Sequence, residues 1–359
     1  MIPSALNYTR KSDRDRIITT CYLLSEVLQA SKTLILLFIM VKGDLLKILV
    51  TGGAGFIGTN CIQYLKKKGH EIINVDKLGI GSVKKNLSVT NVKFYKLDIS
   101  KRFPSELLKE VNLLINFASE SHVDRSIRNP SYFFKNNIGL QMNILEALRK
   151  SESEIRMVHV STDEVYGDIL EGSFTEESTL RPSSPYSASK AAQDMLALSY
   201  ARTYGLNFSI TRCTNNYGPF QLPEKLIPKS IILGKRNSKI PIYGDGKQIR
   251  DWIYVDDHCS AIEAVFLKGK KGEVYNVACG NEVSNIDVVT KITEFLGRPK
   301  SLIEFVQDRP GHDVRYSLNC EKIKEIGWRP NVTFKKGLKM TVQWYLENTD
   351  WWRGLMKFV

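Results

Sequence analysis

A tyrosine and a lysine lie four residues apart in the segment Tyr186-Ser-Ala-Ser-Lys190. At this spacing the two side chains lie on one face of an α-helix. A nearby ammonium group stabilises a phenolate, so the tyrosine can act as a base near neutral pH. A second pair with the same spacing, Tyr64 and Lys68, is interpreted as a chance match, because only the first pair has further chemical groups in a suitable context.

Three such groups, Thr162, Asp163 and Glu164, directly follow a β-branched run that predicts a strand. The Thr162 hydroxyl can reach the same substrate oxygen as Tyr186. Oxidation of an alcohol needs neither carboxyl group, so the acidic pair indicates a second reaction, an acid–base elimination. One carboxyl must be the acid and the other the base, which requires environments that push their pKa values apart. The alternative is a solvated acidic turn, which the nearby Tyr186 and Lys190 make less favoured.

A glycine-rich turn precedes these residues in the chain. Gly52, Gly55 and Gly58 follow the run Lys47–Thr51 and open an apolar helical pattern. Such a turn lets backbone N–H groups approach a pyrophosphate. Asp76 ends the second predicted strand, where a carboxylate accepts hydrogen bonds from the adenosine ribose and repels a 2′-phosphate. The pattern predicts NAD as the cofactor; the alternative is that the glycines only pack a helix on a sheet.

The elements that must position these groups alternate between strands and helices. The sequence predicts strands at 47–51, 71–75, 92–96, 113–117, 156–161 and 208–212, and helices at 56–68, 131–150 and 185–201. This alternation is typical of an α/β fold with a doubly wound parallel sheet of the Rossmann type. Prolines punctuate shorter elements after residue 215. We therefore expect an N-terminal extension over 1–44, an NAD-binding domain over 45–215 and a smaller, partly interleaved substrate domain over 216–359.

Composition narrows the class of protein. The chain has 359 residues, 43% hydrophobic and 25% charged, which is typical of a globular protein. Its net charge of +13 is spread along the chain without the interleaved aromatic residues of a nucleic-acid-binding surface, so no nucleic-acid partner is expected. The six cysteines form no C-x-x-C pair and no zinc-binding pattern, which predicts reduced thiols, no metal and a cytoplasmic location.

The N-terminal extension contains an apolar run at 33–41. Its nine residues are too few to cross a membrane, which needs about 20, so no membrane association is expected. Three interpretations remain: a peripheral anchor or targeting arm, a helix that packs on the body or frays, and a true translation start at Met40. We favour the last two.

The motifs together resemble the dTDP-glucose 4,6-dehydratase family of the extended short-chain dehydrogenase/reductase superfamily. The resemblance runs from about residue 47 to the C-terminus. Its segments are ILVTGGAGFIG, SESHVDRSI, VSTDEVYGD, PSSPYSASKA, NNYGP, PEKLIPK, PIYGDGKQIRDWIYVDDH and DRPGHD. The Asp163-Glu164 pair distinguishes this family from its relatives, since epimerases of the superfamily lack the pair and GDP-mannose dehydratases carry serine in place of Asp163.

This resemblance implies an NAD-dependent lyase that converts dTDP-glucose into its 4-keto-6-deoxy derivative. Tyr186, assisted by Lys190, would remove the 4-hydroxyl proton while hydride leaves C4, and Thr162 would hydrogen-bond the 4-oxygen. Glu164 would then take the C5 proton, Asp163 would protonate the departing 6-hydroxyl, and hydride would return to C6. The alternatives are a dehydratase of another nucleotide sugar (UDP-, CDP- or GDP-linked) and a non-catalytic nucleotide-sugar-binding relative.

The resemblance also implies binding residues and a partner. The cofactor would contact Gly52, Gly55, Phe56, Ile57, Gly58, Asp76, Lys77, Leu78, Gly79, Asp98, Ile99, Ala118, Ser119, Glu120, Asn136, Tyr186, Lys190 and Asn216. The nucleotide-sugar substrate would contact Ser121, Thr162, Asn215, Lys225, Leu226, Pro241, Ile242, Tyr243, Arg250, Asn285, Asp308, Arg309 and His312. Three of the cofactor positions, Gly79, Ser119 and Asn136, depart from the usual family residues. A homodimer is expected through a four-helix bundle formed by the helices at 131–150 and 185–201.

Overall fold

The computed structural model describes residues 45–308 and 313–359. The predicted extension over 1–44, with its three interpretations, lies outside this range, as do Arg309 and His312. No helix within the described residues is long and apolar enough to span a membrane.

The strands of the described residues fall into one large sheet and two small ones. In chain order they are β1 Lys47–Thr51, β2 Glu71–Asp76, β3 Lys93–Lys96, β4 Leu113–Asn116, β5 Arg156–Thr162, β6 Phe208–Cys213, β7 Asn215–Tyr217, β8 Ile240–Tyr243, β9 Ile249–Tyr254, β10 Val274–Val277, β11 Glu282–Ser284 and β12 Ile303–Val306. The large sheet has seven parallel strands in the order β10–β6–β5–β4–β1–β2–β3. Buried, nearly continuous apolar runs such as KILVT form its centre, as expected for a parallel sheet covered on both faces.

Helices cover both faces of this sheet. In chain order, the α-helices of the described residues are α1 Phe56–Lys67, α2 Lys85–Thr90, α3 Val123–Arg128, α4 Pro130–Arg149, α5 Pro185–Tyr204, α6 Leu226–Lys235, α7 Val255–Lys268, α8 Asn285–Phe295, α9 Glu321–Glu325, α10 Phe334–Glu347 and α11 Thr349–Arg353. One apolar layer joins α1 and α7 to the sheet through residues such as Leu65 and Ile262. The opposite layer includes Ile144 of α4 and Ala197 of α5.

The C-terminal half is interleaved with this Rossmann sheet. Strand β10 extends the large sheet beside β6. Strand β7, which directly follows β6 in the chain, leaves that sheet and pairs with β9, while β11 lies on the other side of β9. Strands β8 and β12 form a separate parallel pair. The predicted fold class is therefore confirmed; the domain boundaries at residues 44 and 215 stay a prediction.

The predicted helix at 185–201 continues to Tyr204. It ends there because Gly205 adopts a left-handed conformation with φ of 66°, which stops an α-helix at little cost for glycine. Its start is held by a capping box between Ser184 and Ser187. This start places Tyr186 in the first turn, and Lys190 follows one turn later.

Candidate active site

A cleft opens at the carboxyl ends of β1, β4 and β5, where the strand order reverses between β1 and β4. Ligands bind at this position in doubly wound sheets. The glycine turn after β1 forms one wall. Gly52 has a φ of 74°, and a Cβ on Gly58 would collide with the Gly52 carbonyl oxygen. The glycines are therefore required for the path of the chain, in addition to any role in binding.

The start of α1 fits a pyrophosphate. Its N-cap residue, Gly55, supplies no side-chain hydrogen bond, and the first turn carries no acidic residue. The N–H groups of a first helical turn lack partners within their helix, and the helix dipole favours an anion there. Gly55, Phe56, Ile57 and Gly58 all line the cleft. The chain thus provides an uncapped helix end where the predicted cofactor needs one.

Asp76 lies at the end of β2, beside the glycine turn. Its carboxylate accepts hydrogen bonds from the Leu78 N–H at 2.7 Å, the Ser82 hydroxyl at 2.7 Å and the Ala54 N–H at 3.0 Å. Burial raises its pKa, and these hydrogen bonds act in the opposite direction. A carboxylate offers about four acceptor sites, so capacity remains for a ribose hydroxyl.

Lys77 links two other predicted cofactor residues, Glu120 and Asn136. Its ammonium lies 2.9 Å from Glu120 Oε1 and donates to Asn136 Oδ1 at 2.7 Å. Burial lowers the pKa of Lys77, but the hydrogen bonds and charges of Glu120 and Tyr132 together outweigh burial, and the net shift of this pKa is upward. Asn136 stands where the family usually has threonine. Its side-chain oxygen therefore accepts a hydrogen bond from Lys77. Asp98, Ile99, Ala118 and Ser119 line the same cleft, as does Gly79.

The predicted catalytic acids follow β5 in a single turn of 3-10 helix, Asp163–Tyr166. Thr162 caps this turn: its Oγ1 accepts from the Glu164 N–H at 3.3 Å and donates to Asp163 Oδ1 at 3.1 Å. Asp163 is only 3% exposed, whereas Glu164 is half-buried. The alternative of a solvated acidic turn is therefore wrong for Asp163.

Asp163 and Glu164 differ in burial, which suits the opposite roles of acid and base. Burial, followed by the negative charge of Glu164, raises the pKa of Asp163 to about 7. Hydrogen bonds from Thr214 and Thr162 and the charge of Arg250 oppose this shift. A carboxyl group with such a pKa still carries a proton close to neutral pH, which a general acid requires.

Tyr186 and Lys190 line the same cleft, on α5. Burial and the charge of Glu164 hold the pKa of Tyr186 well above its usual value, and a hydrogen bond with Thr162 acts in the opposite direction. Burial lowers the pKa of Lys190 to about 8. The Lys190 ammonium donates to the Val160 carbonyl at 2.8 Å. The expected assistance of Lys190 to the Tyr186 phenol therefore stays a prediction.

A buried polar network lies beneath Lys190. Asp194, one helical turn further along α5, accepts from Arg212 Nε at 2.8 Å, and its other oxygen lies 3.6 Å from His159 Nε2. Asn116 Nδ2 lies 3.1 Å from His159 Nδ1. The Thr51 hydroxyl donates to Asn116 Oδ1 at 2.6 Å, so the Asn116 amide nitrogen is the donor to His159. This places the imidazole proton on Nε2, facing Asp194.

The predicted substrate residues fall into two groups. Ser121, Asn215 and Lys225 line the cleft with Asn216, which is a predicted cofactor residue, and Leu226 begins α6 directly after Lys225. The others lie around β8 and β9. Pro241, Ile242 and Tyr243 belong to β8, Arg250 to β9, and Asn285 begins α8.

Gln248 joins two members of the second group. Its amide donates to Asp308 Oδ2 at 3.0 Å and accepts from Asn285 Nδ2 at 3.4 Å. Arg250 is 5% exposed, donates to the Asp313 carbonyl at 2.8 Å, and its guanidinium lies 4.3 Å from the centre of the Tyr316 ring. Asn285 and Asp308 are therefore linked through Gln248, and Arg250 is linked to Asp313.

Sequence reasoning missed several residues of the cleft. Arg125 donates to Glu224 Oε2 at 2.6 Å, and both side chains line the cleft, as do Ser82 and Thr214. Arg125 and Glu224 lie in two of the motifs already singled out, so their opposite charges were an available signal. Nothing in the sequence pattern marks Ser82, because its role follows from the path of the loop after Asp76.

The Rossmann sheet, the glycine turn and the grouping of Thr162, Tyr186 and Lys190 define an extended short-chain dehydrogenase/reductase. The family model described as GDP-mannose 4,6 dehydratase matches residues 49–341. A probable dTDP-glucose 4,6-dehydratase from Sinorhizobium fredii is 44% identical over 334 residues, covering 86% of this chain and 95% of the relative.

Two solved structures agree with this assignment. DesIV, a dTDP-glucose 4,6-dehydratase from Streptomyces venezuelae crystallised with NAD, is 43% identical, with a TM-score of 0.81 and coverage of 86% of this chain and 99% of DesIV. The dTDP-glucose 4,6-dehydratase of Bacillus anthracis, also in complex with NAD, is 45% identical, with a TM-score of 0.79 and the same coverage. The chain belongs to the dTDP-glucose 4,6-dehydratase family.

Proposed function

We propose that this protein dehydrates dTDP-glucose to its 4-keto-6-deoxy derivative with a bound NAD. The observation that carries the proposal is the cleft itself. Its lining combines the uncapped start of α1 and the Asp76 carboxylate with Thr162, Asp163, Glu164, Tyr186 and Lys190. The family relatives, which are named for the same reaction and crystallised with NAD, support it.

Bound NAD would supply the hydride chemistry, oxidation at C4 of the sugar and reduction at C6. The protein's own groups move the protons. Tyr186 takes the 4-hydroxyl proton, and the Thr162 hydroxyl donates to the resulting 4-oxygen. The ketone acidifies the C5 proton, which Glu164 removes and returns to C5 once C6 has been reduced. Asp163, protonated because of its burial, gives its proton to the departing 6-hydroxyl, and water leaves.

Residues around the cleft hold the two ligands. The start of α1 binds the NAD pyrophosphate, Asp76 the adenosine ribose and Lys190 the nicotinamide ribose. Arg250 and Lys225 attract the substrate diphosphate, and β8 carries the platform for the base. Arg250 suits this role because its planar guanidinium recognises phosphate in a forked geometry.

The test is incubation of the purified protein with dTDP-glucose without added NAD. We expect a 4-keto product lighter by one water, identified by mass spectrometry, over many turnovers per enzyme. Parallel assays with UDP-, CDP- and GDP-linked glucose determine which nucleotide base the enzyme accepts. Absence of turnover on all four would contradict the enzymatic proposal and favour a non-catalytic nucleotide-sugar-binding protein.

We further propose a homodimer through α4 and α5. These helices pack against each other and leave large apolar side chains exposed in the single chain, namely Met142 on α4 and Met195 and Tyr204 on α5. Two copies of the pair would form a four-helix bundle that covers these side chains. Sedimentation should give a dimer for the wild type and a monomer for the double variant Met142→Glu/Met195→Glu; a wild-type monomer would contradict the bundle.

Because the proposed substrate and the cofactor are both phosphorylated, we also propose that the protein is located in the cytoplasm.

A further inference from the structure

The C-terminal residues pack against the segment that follows β2, which includes α2. Trp351 and Trp352 of α11 are both almost fully buried, at 7% and 5% exposure. Trp351 lies in a cluster of rings, with centroid distances of 5.3 Å to Trp344 and 5.8 Å to Phe220. The end of the chain is therefore a fixed part of the fold near the predicted cofactor site.

A chain of hydrogen bonds leads from this cluster to the glycine turn. Trp351 Nε1 donates to Asn86 Oδ1 at 2.8 Å. The Asn86 amide nitrogen then donates to the Ala54 carbonyl at 3.0 Å and to Thr59 Oγ1 at 3.0 Å. Asn86 is fully buried, so an unfilled hydrogen bond on its side chain would not be replaced by water.

Ala54 is the central residue of the glycine turn, and both its backbone groups are held. Its N–H donates to Asp76 Oδ2 at 3.0 Å, and its carbonyl accepts from Asn86 and from the Val83 N–H at 3.0 Å. The next residue, Gly55, begins the uncapped end of α1. The position of Ala54 therefore sets the direction of the N–H groups that face the pyrophosphate.

We infer that Trp351 is a positioning residue for the NAD-binding turn, acting through Asn86. The indole N–H fixes the orientation of the Asn86 amide, so that the nitrogen faces Ala54 and Thr59 and the oxygen faces Trp351. Without this donor, the buried Asn86 oxygen is unpaired, and the amide is held only through its nitrogen, by Ala54 and Thr59. The support that Asn86 gives to the turn is then weaker. This inference rests on the NAD assignment of the proposed function.

The neighbouring tryptophan provides a matched control. Trp352 Nε1 donates at 2.8 Å to the Tyr345 carbonyl, within the C-terminal segment itself. Trp351→Phe and Trp352→Phe each keep an aromatic ring and each remove one buried donor. Both should lower the melting temperature. Only the Trp351→Phe variant should affect the cofactor.

The experiment measures NAD affinity by calorimetry on cofactor-stripped full-length protein without substrate. The dissociation constant should rise about tenfold for Trp351→Phe, the effect of one unpaired buried acceptor, and stay unchanged for Trp352→Phe. Asn86→Asp keeps the oxygen that accepts from Trp351 but removes the amide donor. It should weaken NAD binding by itself, and adding Trp351→Phe should weaken it little further.

Equal NAD affinities for the Trp351→Phe and Trp352→Phe variants would overturn the inference, as would fully additive effects of Trp351→Phe and Asn86→Asp. If the wild type itself does not bind NAD, the cofactor assignment in the proposed function is what fails. If the Trp351→Phe variant does not fold, the Asn86→Asp variant still decides, since unchanged NAD affinity there would also overturn the inference.

Discussion

The Thr162 hydroxyl donates a hydrogen bond to Asp163 Oδ1 at 3.1 Å, at the point where β5 enters the cleft. Thr162 is also within hydrogen-bonding reach of the Tyr186 phenol. One hydroxyl thus lies between the residue proposed to oxidise C4 and the residue proposed to release water from C6. The Thr162 hydroxyl is therefore positioned to take part in both the oxidation and the elimination of the proposed reaction.

The first prediction concerns the acid form of Asp163. Because burial and the charge of Glu164 raise its pKa to about 7, the protonated form is present below this pH and lost above it. The elimination rate should therefore fall as the pH rises through about 7. Asp163→Asn should lower kcat by about 10²- to 10⁴-fold, the usual contribution of a general acid.

Single-turnover assays across about pH 5 to 9 would check this prediction. Asp168→Asn, a substitution at an exposed aspartate in the following loop, is the control and should leave the rate unchanged. A rate that increases with pH through this window would assign Asp163 the opposite role.

The second prediction separates oxidation from elimination. Glu164→Gln removes the proposed base for the C5 proton but keeps the size of the side chain. Oxidation at C4 should continue, so reduced cofactor should accumulate with dTDP-glucose, while product formation drops by about 10²-fold or more. Stopped-flow absorbance and product analysis measure the two steps. Unimpaired elimination would show that another group is the base.

The third prediction tests the glycine turn. A Cβ on Gly58 would collide with the Gly52 carbonyl oxygen, so Gly58→Ala must shift the start of α1. NAD affinity should fall by at least about tenfold. Gly81 lines the same cleft with no atom close to where its Cβ would lie, so Gly81→Ala is the matched control. Similar NAD affinities for the two variants would mean that the turn does not hold the cofactor.

The fourth prediction concerns the ion pair beneath Lys190. Asp194→Asn leaves Arg212 charged, buried and unpaired, which should lower the free energy of unfolding by about 3 to 5 kcal/mol. It also removes a negative charge that raises the pKa of Lys190, so this pKa should fall further below about 8. Denaturant titration measures the first effect. Asp350→Asn breaks the exposed ion pair with Arg353 and is the control; its free energy of unfolding should be the same as that of the wild type.

Local patterns were sufficient to predict the parts of the site that depend on neighbouring residues. The strand Lys47–Thr51, the turn after it and the helical spacing of Tyr186 and Lys190 each follow from a short segment. The sequence also predicted that the two acids would need different environments. It did not show which acid is buried, because that depends on distant residues that lie near Asp163, such as Thr214 after β6 and Arg250 on β9.

The supporting contacts could not be predicted from local patterns. Arg212 and Asp194 are 18 residues apart, and Trp351 and Asn86 are 265 apart. In the sequence these side chains have no periodicity or motif in common. They meet only because the sheet order and the packing of the C-terminal helices bring them together, which is a property of the tertiary structure.

The most direct test of the central claim follows a hydrogen atom. dTDP-glucose carrying deuterium at C4 should yield a 4-keto-6-deoxy product with the label at C6, and a mixture with unlabelled substrate should show that the label stays within one molecule. Mass spectrometry and NMR report both results. Solvent hydrogen at C6 in place of the label, or transfer of the label between molecules, would contradict a dehydration in which hydride leaves C4 and returns to C6 of the same sugar.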